Sequence, residues 1–194
     1  MPTPLRLSPA PRQVLLFSGH RVDAADRSTP RFPAAKVDIA AAAIAAALSD
    51  LDADDRDVAL TQGAAGGDIL FAEACLQRGV RLALLQPLPQ AQFIERSVLA
   101  SAQGERWLER YRVVAARAAW PPRALPDDNP GVDPFAACNR WLVDTALASG
   151  APHLHLVCLW DGSNGDGPGG TAHMVAEVTH HAGHVTWLDT RTLW

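Results

Sequence analysis

Lysine is almost absent from this 194-residue chain: Lys36 is the only one, and every other basic residue is arginine. With a net charge of −4 the sequence has no strong basic field, which argues against general nucleic-acid binding and against attraction to anionic membranes. Cysteine is scarce as well. Cys75, Cys138 and Cys158 stand far apart, too few and too scattered for a disulfide framework or a C-x-x-C metal site. No run of 18 apolar residues occurs, and the N-terminus lacks the charged and apolar regions of a signal peptide. The expected protein is therefore cytoplasmic, with reduced and mostly buried thiols. No repeat at solenoid periods is found, and the only biased tract is alanine-rich.

What is present is enough apolar material, 48% of the residues, to fill the core of one domain. Residues 1–12 hold Pro2, Pro4, Pro9 and Pro11 and read as an irregular lead-in, leaving 13–194 as a single domain. Short apolar runs predict strands at 13–17, 58–60, 80–86, 153–159 and 184–188. Helical spacing and alanine content predict helices at 34–51, from 68 or 69 to 78, 90–102, 105–118, 135–149 and 172–182. Residues 120–134, with Pro121, Pro122, Pro126, Pro130 and Pro134, read as an extended loop. The β-α-β-α-β order of the first half predicts a Rossmann-like α/β fold, three layers deep, with a mostly parallel sheet of about five strands.

Glycine marks where a ligand belongs in such a fold. Residues 57–68 read D-V-A-L-T-Q-G-A-A-G-G-D, a strand, a glycine turn and a helix start, which can bring backbone N–H groups to a phosphate. A second glycine loop runs from Gly162 to Gly170, and the polar run S-G-H-R at 18–21 ends the first strand. Loops at the carboxyl ends of neighbouring parallel strands share one crevice, so a nucleotide could meet all three. Neither glycine loop is read as the G-x-G-x-x-G dinucleotide fingerprint, and neither has the G-K-[ST] ending of a P-loop, so the dehydrogenase and NTPase readings are weak.

Other residues have plainer readings beside the functional ones. His20 is a ligand contact or a strand-edge cap, Arg21 a phosphate contact, and Asp68 a carboxylate stabilised by a helix N-terminus. Trp160 at a strand end is placed to stack a base, whereas Trp141 on an amphipathic helix suits the core. His173 lies near the expected pocket. His180, His181 and His184 make no metal site, because Gly183 breaks the helical spacing. Arg106, Arg110 and Arg117 recur as a solvated helix face.

The runs S-G-H-R, T-Q-G-A-A-G-G-D-I-L-F-A-E-A-C-L-Q-R-G-V and W-D-G…G-P-G-G-T-A-H-M-V-A-E, in that order, resemble the SLOG superfamily over about residues 14–189. This Rossmann-like group is named for the DNA-processing protein DprA and the LOG cytokinin-activating enzymes, and the G-D-G-P-G-G-T-A-H-M stretch is similar to bacterial members often joined to signalling domains. The resemblance implies a pocket for a nucleotide or nucleotide-derived small molecule. It would be lined by Ser18, Gly19, His20 and Arg21, by Gly63, Ala64, Gly66 and Gly67, and by Gly169, Gly170 and Thr171. Asn139 and Arg140 match the enzymes' R-K-x-x-M stretch loosely, and Trp160 and Asp161 complete the set.

The resemblance also implies a homodimer and a signalling effector partner in a stress or defence context; no cofactor is expected, and the cysteine and histidine spacing gives no metal site. Trp187, Leu193 and Trp194 are available for an interface or for the core. One departure from the family bears on catalysis. Where the phosphoribohydrolases carry a catalytic glutamate three residues after the threonine, this chain has Met174, which cannot serve as a general base. A binding or sensing role is therefore the leading expectation. The alternative is an N-glycosidase in which Glu177 or Asp161 has taken over the carboxylate's part.

Overall fold

The computed structural model, which describes residues 2–126, 131–163 and 169–194, gathers the apolar runs into one parallel sheet. Strand β1 (Gln13–Gly19) leads through a polar loop and a 3-10 turn (Ala34–Lys36) into helix α1 (Val37–Asp50). Strand β2 (Val58–Thr61), helix α2 (Gly67–Gln77) and strand β3 (Arg81–Gln86) complete the first half. The chain continues through α3 (Gln90–Phe93), a π-helical turn (Ile94–Leu99) and α4 (Gly104–Arg117) to the short strand β4 (Arg123–Ala124). Helix α5 (Pro134–Ala148), strand β5 (His153–Trp160), helix α6 (Thr171–His180), strand β6 (His184–Asp189) and helix α7 (Thr190–Leu193) follow.

The strand order is β4-β3-β2-β1-β5-β6. Successive crossovers carry the chain away from β1 in one direction, and the second half starts again on its other side. The order therefore reverses between β1 and β5, where seven register pairs run from Gln13↔His153 to Gly19↔Leu159. Alternation along the strands builds two cores. Leu15, Phe17, Ala59, Leu82, Leu84, Val157 and Leu159 face one side with residues of α1, α2 and α4. Val14, Leu16, Val58, Leu60, Leu156 and Cys158 face the other with Trp141, Leu142, Met174 and Val178 of α5 and α6. Three layers follow from that alternation.

The sheet has six strands, one more than expected. The addition is β4, inside the proline-rich stretch: Pro121 and Pro122 on one side and Leu125, held extended by Pro126, on the other flank Arg123 and Ala124, which pair with Leu85 and Gln86. The segment expected as one helix over 90–102 divides at a π-helical turn, whose Ser97 carbonyl accepts from Ala65 N at 2.9 Å. The lead-in is irregular yet docked. Leu5 and Leu7 are buried against Trp141, whose Nε1 donates to Thr3 O at 3.0 Å. At the amino end of the sheet Asp57, with no exposed surface, accepts from Arg12 Nε and Nη2, Gln13 Nε2 and Asp54 N at 2.8–3.0 Å. These contacts hold its carboxyl below the ordinary range although burial pushes the other way. Among the described residues no helix is long and apolar enough to cross a membrane.

Candidate functional site

In an open α/β sheet, ligands bind outside the carboxyl ends of the strands at the point where strand order reverses. Here that point brings together Ser18 and Gly19 at the end of β1, Trp160 and Asp161 at the end of β5, and the N-terminus of α6. Ser18 Oγ donates to Thr171 Oγ1 at 3.2 Å, a contact across 153 positions of sequence. Thr171 is the first residue of α6, and the first N–H groups of a helix have no partner inside it. Two hydroxyls and a helix N-terminus thus converge at the switch point. That is chemistry suited to a phosphate.

His20 closes the α1 side of this crevice. Its Nε2 lies 3.2 Å from Asp161 N and 3.5 Å from Asp161 Oδ1. Burial pushes the imidazole below its ordinary range, with Arg31 and Arg27 adding to it against Asp161 and Asp23. The neutral ring then accepts the Asp161 N–H at Nε2, so the carboxylate distance does not describe an ion pair. For Asp161, burial alone would raise the carboxyl, but Ser163 Oγ and N at 2.6 and 2.9 Å, with the charge of Arg31, hold it below the usual value. Beyond His20 lies a polar cleft of about 280 Å³ lined by Arg21, Asp23, Arg27, Arg31 and Ser101. Arg21 is exposed there and donates from Nη1 to Arg96 O at 2.6 Å.

The first glycine loop carries an anion of its own. Asp68 Oδ2 accepts from Gly63 N at 3.0 Å and Ala64 N at 3.2 Å, Ala65 N donates to Ser97 O, and Gly67 N donates to His20 O. Burial pushes the Asp68 carboxyl up to about 6 against the pull of these amides. Gly66 has φ +101, and a Cβ there would lie 2.6 Å from Val22 N; one on Gly67 would lie 2.8 Å from the Phe17 ring. These glycines let the loop close on the segment after β1. Residues 63–69 are all buried.

The second glycine loop falls partly outside the described residues, at 164–168, but its last glycines are placed. Gly169, at φ +86, packs so closely on the start of α5 that a Cβ would lie 2.5 Å from Ala136 N. Its carbonyl accepts from Asn139 Nδ2 at 2.7 Å, and Asn139 Oδ1 accepts from Gln62 Nε2 at 3.0 Å. Asn139 is therefore a buried strut joining both glycine loops. Gln62 was not among the expected site residues, although its place directly after a central strand marks it. Arg140, its neighbour on α5, is half-buried, and its Nε has no hydrogen-bond partner among the described residues.

The carboxylates expected as catalytic stand apart from one another. Glu177 lies farther along α6 than Thr171, with Oε1 3.4 Å from His173 Nε2, whereas Asp161 lies at the β1–β5 boundary. Met174 is fully buried in the core beneath α6. Trp160 is half-buried at the crevice rim, its Nε1 donating to Ser163 O, and Trp141 lies in the core. Arg110 pairs with Glu73 and covers the Trp107 ring, so the expected solvated face is in part an inter-helix contact. Trp194 stacks on Phe32 with ring centroids 5.4 Å apart, whereas Trp187 remains 47% exposed.

No protein-family model matches the chain, and no curated protein matches it. One solved structure that aligns with it is that of a Moco carrier protein from Chlamydomonas reinhardtii, at 13% identity and a TM-score of 0.34, over 92% of this chain and 91% of the other. The likeness carries no argument about the site. What the site is rests on its own geometry.

Proposed function

We propose that the domain binds a nucleotide or nucleotide derivative at the β1–β5 switch point and does not cleave it. The observation that carries this reading is the Ser18 Oγ to Thr171 Oγ1 contact of 3.2 Å at the N-terminus of α6, over a buried methionine where hydrolysis would need a carboxylate. Hydroxyls and helix N–H groups can hold a phosphate oxygen without ionising, which suits a chain of net charge −4. The Gly63–Ala64 turn enters as shape, since Asp68 fills its amides; Asn139 anchors Gly169, two residues before Thr171. His20 and Asp161 form the wall, and Arg21 is placed to meet an anionic group that extends beyond it. A thioether at position 174 neither accepts a proton nor stabilises a cationic sugar centre. Binding without turnover is the behaviour of a sensor, whose output would pass to a signalling effector.

Titration of the protein with AMP, NAD and ADP-ribose tests the placement. Ser18→Ala and Thr171→Val should each weaken the tightest of the three about tenfold or more, the worth of a hydrogen bond to a charged group. Unchanged affinity in both, with the fold intact by circular dichroism, would remove the phosphate from the α6 N-terminus.

A further inference from the structure

We infer that β6 supplies the nucleoside half of the same site, with Trp187 stacking the base and the Asp189 carboxylate accepting from the ribose hydroxyls. The inference rests on the reading above, because it takes the phosphate at Ser18 and Thr171 as one end of the ligand. Register supplies the geometry. Ser18 pairs with Cys158, and Cys158 pairs with Trp187, so the three form one row across β1, β5 and β6. Side chains in one row of a parallel sheet share a face, and Cys158 faces α5 and α6. Two strand spacings separate the Ser18 and Trp187 backbones by roughly 10 Å, on the scale of one nucleotide. Asp189 follows Trp187 by two residues on the same face and stands opposite Trp160 at the carboxyl end.

Each group is held in position before any ligand arrives. Trp187 Nε1 donates to Trp160 O at 2.9 Å, and the two rings lie 5.8 Å apart at 40°. The Arg191 guanidinium covers the Trp187 ring at 5.4 Å and grips both oxygens of Asp189. Gly162 lies against the indole edge, where a Cβ would be 3.2 Å from Trp187 Cζ2. A large aromatic that is rigid yet 47% exposed offers a stacking surface with little ordering cost. Asp189 Oδ1 also accepts from Arg191 N at 3.0 Å, so three Arg191 donors take most of the carboxylate's roughly four lone-pair sites and about one is left for the ribose. Against the expectation that neither glycine loop matches the dinucleotide fingerprint, residues 165–170, G-D-G-P-G-G, do have the spacing G-x-G-x-x-G, and Asp189 stands about 20 residues beyond, the interval at which a dinucleotide-binding unit sets its ribose carboxylate.

A second copy of the chain is the other occupant an exposed tryptophan invites. Among the described residues the other exposed large hydrophobics, Ile39, Val113, Val132 and Leu147, stand on α1, on α4, in the turn before α5 and on α5 respectively, not on β6. A lone ring flanked by an ion pair fits a flat heteroaromatic better than the extended apolar patch a stable dimer buries.

Calorimetric titration with AMP, dAMP and ribose 5-phosphate separates the parts. The wild-type protein should bind AMP about tenfold more tightly than either of the others, the loss expected when a stacked base or a paired hydroxyl is removed. Trp187→Ala should bring AMP down to the level of ribose 5-phosphate, and Asp189→Asn should narrow the preference for AMP over dAMP. Equal affinity for all three ligands in the wild type overturns the β6 assignment while leaving the phosphate reading in place. Failure of all three to bind overturns both. A change of oligomeric state in Trp187→Ala with AMP affinity unchanged would assign the ring to a second copy instead.

Discussion

Asp68→Asn is the substitution whose outcome the structure fixes most firmly. The carboxylate is 7% exposed, and burial raises its pKa from the ordinary 3.8 to about 6. Between those values the folded protein holds a proton that the unfolded chain has released. Its contribution to stability is therefore fully present below the unfolded pKa and is lost as pH rises through 6. A difference of about two pH units corresponds to ~3 kcal/mol at neutral pH. Asparagine carries no charge to desolvate, and its Oδ1 can still accept from Gly63 N and Ala64 N. The variant should be more stable than the wild type at pH 7.5 by up to ~3 kcal/mol, or roughly 6–12 °C in Tm for a chain of this size. The gain should vanish near pH 4. Paired melting curves at pH 4, 5, 6 and 7.5 read this as a difference, so every group common to both proteins cancels. A variant less stable at pH 7.5, or a difference independent of pH, would refute the view that the loop encloses a charge at its own cost.

Asp57→Asn should act in the opposite sense. Four donors stabilise the ionised form, so the variant should lose about 2–4 kcal/mol at neutral pH by chemical denaturation. In the wild type that contribution is present above pH 3.8 and lost as pH falls through the lower folded-state pKa, so the gap between the two proteins should close in acid. Met174→Glu should place an unpaired carboxylate in the core beneath α6. We expect a loss of ~3 kcal/mol or more in Tm-derived stability and no release of free base from AMP. Gly66→Ala should cost about 2–4 kcal/mol, because a Cβ at φ +101 would meet Val22 N at 2.6 Å; a neutral result by denaturant titration would contradict the close approach of the two loops.

The strands and helices are legible in the sequence because their periods are clean. Val14, Leu15, Leu16 and Phe17 are a continuous apolar run, as a central parallel strand buried on both faces requires. Strand β4 was hidden because its two residues, Arg123 and Ala124, have no apolar pattern and pair only by being held extended among prolines. The end of α6 shows a subtler miss. Gly183 looks like a left-handed cap, yet Ala182 takes φ 56, and Gly183 is small because a Cβ would lie 2.6 Å from Val178 Cγ1.

At the site, polar residues at strand ends are visible in sequence, but their partners are not. Ser18 and Thr171 are separated by 153 positions, and only the placement of β5 beside β1 brings them together. The pattern T-Q-G-A-A-G-G-D predicts a phosphate cradle, and nothing in it tells a helix-capping aspartate from one that turns back onto Gly63 and Ala64. The roles proposed for Trp187 and Asp189 are invisible in the sequence for a related reason. Their relevance depends on β6 lying in register with β5, which no local pattern encodes.

The most direct test of the central claim is to follow melting temperature and released base or ribose in one mixture of the protein with AMP, NAD or ADP-ribose. Ligand at 100 times its Kd stabilises the folded state by about 2.7 kcal/mol through mass action. A rise of several degrees with one of these ligands, and no product after prolonged incubation, is the predicted result. Free base that disappears in Glu177→Gln would contradict it and make the protein a hydrolase with a relocated carboxylate.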